Sequence, residues 1–281
     1  MRLQRGFTNK EWKRISEKYG DGGVHDYRGK KTLFYKGEKL WEGRGKNGHP
    51  IVYDLEERNT WEVLIVLPGV EEIPTSTFYE CRNFKTVIMS DKVKRIEECT
   101  FHSCISLEFV KLSRNLEYIG WAAFSHCTSI YSIFIPPSCR EIVHLAFSFC
   151  EKLTILSVPQ TIELGEGLIF GTKLIQASQF DVNGRGGYSN NVEVNEWIKH
   201  LNQEQEFALH RKCASYEPSK DDIYEMIKLC GLSSLHTENK IGITASKYMQ
   251  ENPFFENQID EKKLMNRYVL DHMGEFITFD N

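Results

Sequence analysis

A phenylalanine returns every 23 residues through the middle of this chain, at Phe78, Phe101, Phe124, Phe147 and Phe170. Cys81, Cys104, Cys127 and Cys150 follow three residues later with the same period. Five more apolar columns keep the register, for example Ile73, Ile96, Ile119 and Ile142, or Val87, Val110, Ile133 and Leu156. A unit this short cannot bury its own apolar face, so neighbouring units must stack into a solenoid with a shared core. The period reaches back to Leu55, Trp61, Leu64 and Val66. Downstream, Phe170 keeps the register, but Gly165, Gln176 and Gln179 stand where apolar residues are due. The expectation is a solenoid over residues 55–177 in about five turns, decaying after 170.

Within one unit, Leu107-Glu-Phe-Val110-Lys-Leu112-Ser-Arg-Asn115 alternates apolar and polar residues, as a strand with one face on a core does. The other half, Ile96-Glu-Glu-Cys-Thr-Phe101-His-Ser-Cys104, is too short for a full helix and predicts a tight return. The combined pattern, Val-x-x-Ile-x-x-x-x-Phe-x-x-Cys-x-x-Leu-x-x-Val-x-Leu, resembles the BspA-type leucine-rich repeat over about residues 61–170. That resemblance implies an α+β repeat fold, a surface for binding another protein, and no catalytic residues. The family's small-residue corner is intact only at Ile119-Gly120-Trp121-Ala122-Ala123-Phe124, so looser corners are expected elsewhere.

The flanks read differently. Residues 1–54 predict an α+β cap: a helix opened by the capping box Thr8-Asn-Lys-Glu11, then a hairpin of Lys31–Tyr35 with Glu38–Trp41. Residues 178–194, with Asn183-Gly-Arg-Gly-Gly-Tyr-Ser-Asn-Asn191, predict a linker. From 195 to 281 the apolar period becomes helical, with Asn195, Ser219, Thr244 and Asp260 as helix caps. Ala208-Leu209-His210 and Asn239-Lys-Ile-Gly242-Ile-Thr244-Ala245 resemble the openings of successive ankyrin units. Their spacing of 37 residues makes this all-α region, over about 205–253, a degenerate ankyrin-like one.

The formal net charge of −4 conceals an asymmetry: residues 1–46 carry 13 Lys and Arg against 6 Asp and Glu. A basic end can approach nucleic acid or an anionic surface, the alternative function, but without a run of five or more consecutive basic residues nucleic acid is the disfavoured partner. No apolar stretch is long enough to span a bilayer, and the start has no hydrophobic signal region. The eight cysteines are therefore expected as thiols in the cytoplasm, with the nucleus open.

No spacing suggests a catalytic triad, a phosphate loop, a metal or a cofactor. His102 and His126 follow their repeat phenylalanines at +1 and +2, which argues against their meeting on one column. The four stacked cysteines are expected as core, with Cys99 and Cys139 more reachable. The informative residues lie between the inward positions of the strands: Val63, Ile65, Ile88, Phe109, Lys111, Phe134 and Ile155 point onto the concave face. Six are large and apolar, which marks either a partner-binding surface, a face covered by the C-terminal helices, or β-propensity alone. Phe109 and Phe134, with Lys111 at the rim, are the expected centre of contact.

Overall fold

The protein is described by a computed structural model that covers residues 7–38, 40, 55–176, 191–201, 208–214, 220–230, 232–253 and 267. It divides into two compact units, Met1–Lys199 and His200–Asn281.

In the first unit, parallel strands β3 (Val63–Val66), β5 (Thr86–Met89), β7 (Phe109–Lys111), β9 (Ser132–Phe134) and β11 (Ile155–Ser157) recur at the repeat period. Between them run two-residue strands β4 (Glu72–Ile73), β6 (Arg95–Ile96), β8 (Tyr118–Ile119), β10 (Glu141–Ile142) and β12 (Glu163–Leu164), which pair in their own parallel sheet. Of the longer strands, β3, β5 and β7 pair in one sheet and β9 and β11 in a separate two-stranded one, and the result is a solenoid of about four 23-residue turns. Its core is a stack of rings: Phe78 on Phe101, Phe101 on Phe124 and Phe124 on Phe147, with centroids 5.3, 5.0 and 5.6 Å apart and planes within 19°. All four rings are fully buried. Losing one would cost about 3–5 kcal/mol, since each packs on the turns above and below.

The returns are tighter than a helix and carry a periodic strain. Ser76, Cys99, Ala122 and Leu145, and then Glu80, Ser103, His126 and Phe149, all have φ between 50° and 61°. A left-handed residue other than glycine costs roughly 1–2 kcal/mol. Interturn bonds offset it: Ser103 N–H donates to Ser125 O at 2.8 Å and His126 N–H to Ser148 O at 2.9 Å. The cysteine column adds a third tie. Cys104, Cys127 and Cys150 each donate Sγ–H to the carbonyl of the phenylalanine 26 residues earlier, at 3.1–3.2 Å. These thiols are packed donors as well as small apolar side chains.

The last turn corrects the expected register. Glu141 pairs with Glu163, and Phe147 N–H donates to Leu168 O, each one residue short of the period. With one residue lost, Ile169 takes the phenylalanine position, Thr172 the cysteine position and Ile175 the next column, and all three are buried. Phe170 is only half-buried, and its ring packs edge-on against Phe149. Gly165 is then the repeat's corner glycine. A Cβ there would lie 2.3 Å from His144 N, just as one on Gly120 would lie 2.7 Å from the Glu97–Glu98 backbone. The array thus continues past 170, to α3 (Lys173–Gln176).

At the other end, α1 (Asn9–Tyr19) begins with the capping box, Thr8 Oγ1 accepting from Glu11 N–H at 3.3 Å. The hairpin differs from expectation: β2 (Lys31–Tyr35) pairs antiparallel with β1 (Gly23–Asp26), which precedes it. Arg28 and Gly29, at φ 56° and 74°, supply the two left-handed residues that a tight hairpin turn requires, and Asp26 Oδ1 accepts from Gly29 N–H. Leu40 lies in no strand, and Lys39 and Trp41 fall outside the described residues. β2 continues the solenoid sheet in parallel with β3, and Tyr35 seats its ring edge-on against Phe78.

Asn195 is not a cap. It lies inside α4 (Asn191–His200), and its amide donates to Leu164 O and Gly165 O at 2.8 and 3.3 Å, tying that helix to the last turn.

In the second unit, α5 (Ala208–Cys213), α6 (Lys220–Cys230), a 3-10 turn (Leu232–Leu235) and α7 (Ala245–Glu251) pack together. Thr244 caps α7, accepting from Lys247 N–H at 3.1 Å. The expected helix after Asp260 falls outside the described residues. His210 is buried and donates Nε2–H to Thr237 O at 2.8 Å. Burial holds its pKa below the usual imidazole value, with the bonds to Thr237 and Ile243 opposing. The unfolded chain therefore takes up the proton first, and stability falls as pH drops below about 6.5. His210→Gln is expected to flatten that part of the pH–stability curve, measured by urea melts between pH 5 and 7.5.

The thiols offer a second check. Cys81, Cys104, Cys127, Cys139, Cys150 and Cys213 are buried, Cys99 is intermediate and Cys230 exposed. Cys139 is thus less reachable than expected. Burial pushes the Cys139 and Cys150 thiols up to about 12 and Cys127 well above its ordinary value. Native alkylation at pH 8 is expected to label Cys230 quickly and Cys99 slowly, with the other six reacting only in denaturant.

Candidate functional site

The outward positions of the longer repeat strands are mostly buried. Val63, Ile65, Ile88, Phe134 and Ile155 are at most 4% exposed, and Phe109 alone of the apolar six is half-buried. For the first strands the cover is visible. Ile15 of α1 packs with Phe34, Val63, Ile65 and Leu67, joined by Phe7, Trp12, Tyr19 and Tyr27. Tyr19 stacks flat on Phe34 at 4.1 Å. The outer face of β2 and β3 is therefore a second small core, closed by the amphipathic helix that precedes it. Over these strands the cover comes from the N-terminal helix.

Lys111 also departs from its expected place at an exposed rim. Its side chain is 5% exposed and its Nζ pairs with Asp91 Oδ1 at 3.1 Å, the same oxygen that accepts from Arg114 N–H at 3.0 Å. Burial lowers the Lys111 pKa, and Asp91 opposes that shift. The remaining outward residues, Thr86, Ser132 and Ser157, are half-buried and small.

The accessible apolar surface lies on the returns instead. Ile105, Trp121 and Phe149 are the large apolar side chains left exposed among the described residues of the first unit. Phe149 ends a ladder of rings that climbs the solenoid. Tyr79 stacks on His102 at 5.0 Å, His102 meets His126 at 5.2 Å, and His126 stacks on Phe149 at 4.6 Å. The two histidines thus meet despite their different offsets. In the upper turns Ser125 and Ser148 occupy the +1 position and turn inward, and the ring moves to the left-handed +2 residue. An offset of one residue across a left-handed corner keeps both side chains on one edge, which a column-by-column reading misses.

A polarised chain of hydrogen bonds sets the chemistry of the ladder. Ser148 Oγ donates to Leu145 O at 2.9 Å, so it accepts from Ser125 Oγ at 2.9 Å. Ser125, its proton spent, accepts in turn from His126 Nδ1–H at 2.9 Å. Whenever the ring is neutral, this bond selects the tautomer protonated at Nδ1, with Nε2 as the acceptor. The edge combines apolar ring area with a defined acceptor, a combination suited to recognition of another surface. No group of three or more metal-ligating side chains occurs among the described residues.

Residues 71–182 match the BspA type leucine rich repeat region, in six copies. Several solved structures resemble part of this chain. The T. pallidum leucine rich repeat protein TpLRR is 24% identical, over 46% of this chain and 63% of its own, at a TM-score of 0.38. A leucine-rich repeat protein from Bacteroides ovatus is 21% identical over 53% and 48%, at 0.35. The pneumococcal vaccine antigen PcpA is 20% identical over 54% and 45%, also at 0.35. This chain spans less than two thirds of the length of each. No curated protein matches it. None of its described helices is long and apolar enough to cross a membrane.

The burial pattern predicts different behaviour for the two concave aromatics. Phe134→Ser is expected to cost about 3 kcal/mol or more, close to the price of emptying a core site. Phe109→Ser, at a half-buried position, is expected to cost less than half as much. Chemical denaturation of the two single variants measures the difference.

Proposed function

We propose that this chain is a non-catalytic protein–protein interaction module, and that its contact surface is the ring ladder Tyr79, His102, His126 and Phe149 on the returns of the solenoid. The observation that carries this reading is an ordered row of rings along the solenoid, with Phe149 36% exposed and His126 Nδ1 bonded to Ser125 from behind. Rigid aromatic side chains lose little entropy on contact, which is why they dominate interface hot spots. A concave-face contact through Val63 and Ile65 would first require α1 to move, and Ile88, Lys111, Phe134 and Ile155 are buried as well, so Phe109 is the most accessible of the concave positions. The alternative of a nucleic-acid surface has less support: Lys13, Arg28 and Lys30 of the basic segment already lie beside Glu17, Glu11 and Glu62.

Two further readings accompany this one. The second unit is read as a single degenerate ankyrin-like repeat, supported by the buried His210 bond to Thr237 and the Thr244 cap. A reducing, intracellular setting suits eight cysteines that form no disulfide.

The test is a double substitution, His126→Gly with Phe149→Gly. Glycine relieves the left-handed backbone at both sites, so thermal stability should be little changed. The affinity for a partner recovered from the native cell, titrated by calorimetry, should fall by about 2 kcal/mol or more. Unchanged affinity with an intact fold would sink the ladder as the contact surface. A steep linear loss of binding with log salt, unaffected by the ladder variant, would favour nucleic acid instead.

A further inference from the structure

Trp121 stands at the corner where β8 turns into its return, 43% exposed, and among the described residues no cation, ring or hydrogen-bond partner engages its indole. The backbone fixes its neighbours. Cys99 N–H donates to Trp121 O at 2.9 Å, Ala122 N–H to His144 O at 3.1 Å and Leu145 N–H to Glu166 O at 2.9 Å. Glu98, Trp121, His144 and Glu166 therefore form one column across successive turns, and all four are exposed. The strands before the corner carry a second outward column, Glu72, Arg95, Tyr118, Glu141 and Glu163. With Glu97, the two columns set six carboxylates against one guanidinium. The column beyond them, Glu71, Lys94, Glu117 and Arg140, alternates in sign and adds no net charge. Burial raises the Tyr118 pKa, and Glu97, Glu141 and Glu98 raise it further against Arg95, so the field on this face is negative.

The face already holds one guanidinium. Arg95 Cζ lies 3.9 Å from the Tyr118 ring centroid, and Arg95 Nε donates to Glu97 Oε1 at 2.7 Å, so the cation is shared between a ring and a carboxylate. Trp121 and Glu98, on consecutive turns one column further, offer the same two partners with no cation in place, and Glu98 has no ion pair among the described residues. A single exposed apolar side chain is ordinary on a protein surface. An indole among unneutralised carboxylates is selective, because tryptophan is the ring that attracts a cation most strongly. We propose that the Trp121 face docks an arginine-containing basic segment of another protein, with one guanidinium stacked on the indole and bonded to Glu98. Arginine fits better than lysine, since its planar head can stack on a ring and donate in its own plane at once. Glu141, Glu163 and Glu166 draw the segment in and meet its neighbouring basic side chains. The same field repels nucleic acid and acidic surfaces. This surface shares no residue with the ring ladder and does not rest on it.

The test uses the full chain and a fluorescently labelled octapeptide of alternating arginine and glycine, titrated by polarisation at low ionic strength. Saturable binding is expected, about threefold or more weaker with lysine in place of arginine, and absent with glutamate. Trp121→Ala should weaken it about fivefold or more and Trp121→Phe by less. Glu98→Gln should weaken it about threefold, and it decides the matter if Trp121→Ala does not fold. Exposed positions tolerate such changes, so melting temperatures should stay near that of the wild type. His126→Gly with Phe149→Gly should leave peptide affinity unchanged, so this surface and the ladder are tested separately. No saturable binding of the arginine peptide would overturn the site. So would equal affinity in the wild type, Trp121→Ala and Glu98→Gln, which would reduce the contact to diffuse charge. Self-association in sedimentation that Trp121→Ala abolishes would assign the face to a second copy of this chain and overturn it as well.

Discussion

The phenylalanine stack is the contact on which this architecture depends. Rings from successive turns lie almost parallel about 5 Å apart, which is also the distance between paired strands. One spacing therefore serves both the core and the parallel pairing of strands from successive turns. A turn that drifted in length would break ring contact and backbone pairing together. The thiol-to-carbonyl bonds and the amide bonds of the left-handed residues reinforce the same spacing at positions flanking the ring. This redundancy allows two residues in every return to sit in a costly backbone conformation.

A stack of this kind is open at both ends and flat on its outer face, and the chain deals with each exposure in its own way. β2 adds a strand, and Tyr35 adds an edge-on ring beneath Phe78, so the first edge is not bare. The apolar residues on the outer face of the first strands meet α1, whose aromatic side chains close over them. At the far end the final turn shortens by one residue and passes into α3, while Asn195 ties α4 to its carbonyls. The edge formed by the returns keeps its rings outside the core, because His126 and Phe149 stand on left-handed residues.

Much of this was legible in the residues. The period, the columns and the strand alternation required a solenoid, because apolar residues in register over four units have no other way to be buried together. The capping box at Thr8 and the cap at Thr244 could be read locally, since each depends on a side chain and a backbone amide three residues apart. The same locality explains the failures. The hairpin partner of β2 lay on the side where Arg28-Gly29 allowed a tight turn, and Asn195 looked like a cap until a carbonyl from another element claimed its amide.

The sequence by itself determined which residues face the shared core, because a strict period leaves one inward direction for each column. It could not determine what lies on the other side of the strands, since Val63 and Phe134 look alike whether bare or covered. Only the tertiary structure decided that α1 covers the first strands, and that Lys111 is spent on Asp91. The one-residue slip that moves Ile169 into the place of Phe170 was equally hidden, because a deletion shows only when the backbone bonds of one turn are set against the next. The ladder of Tyr79, His102, His126 and Phe149 likewise crosses two sequence columns and becomes one surface only when the left-handed corners bring the rings together.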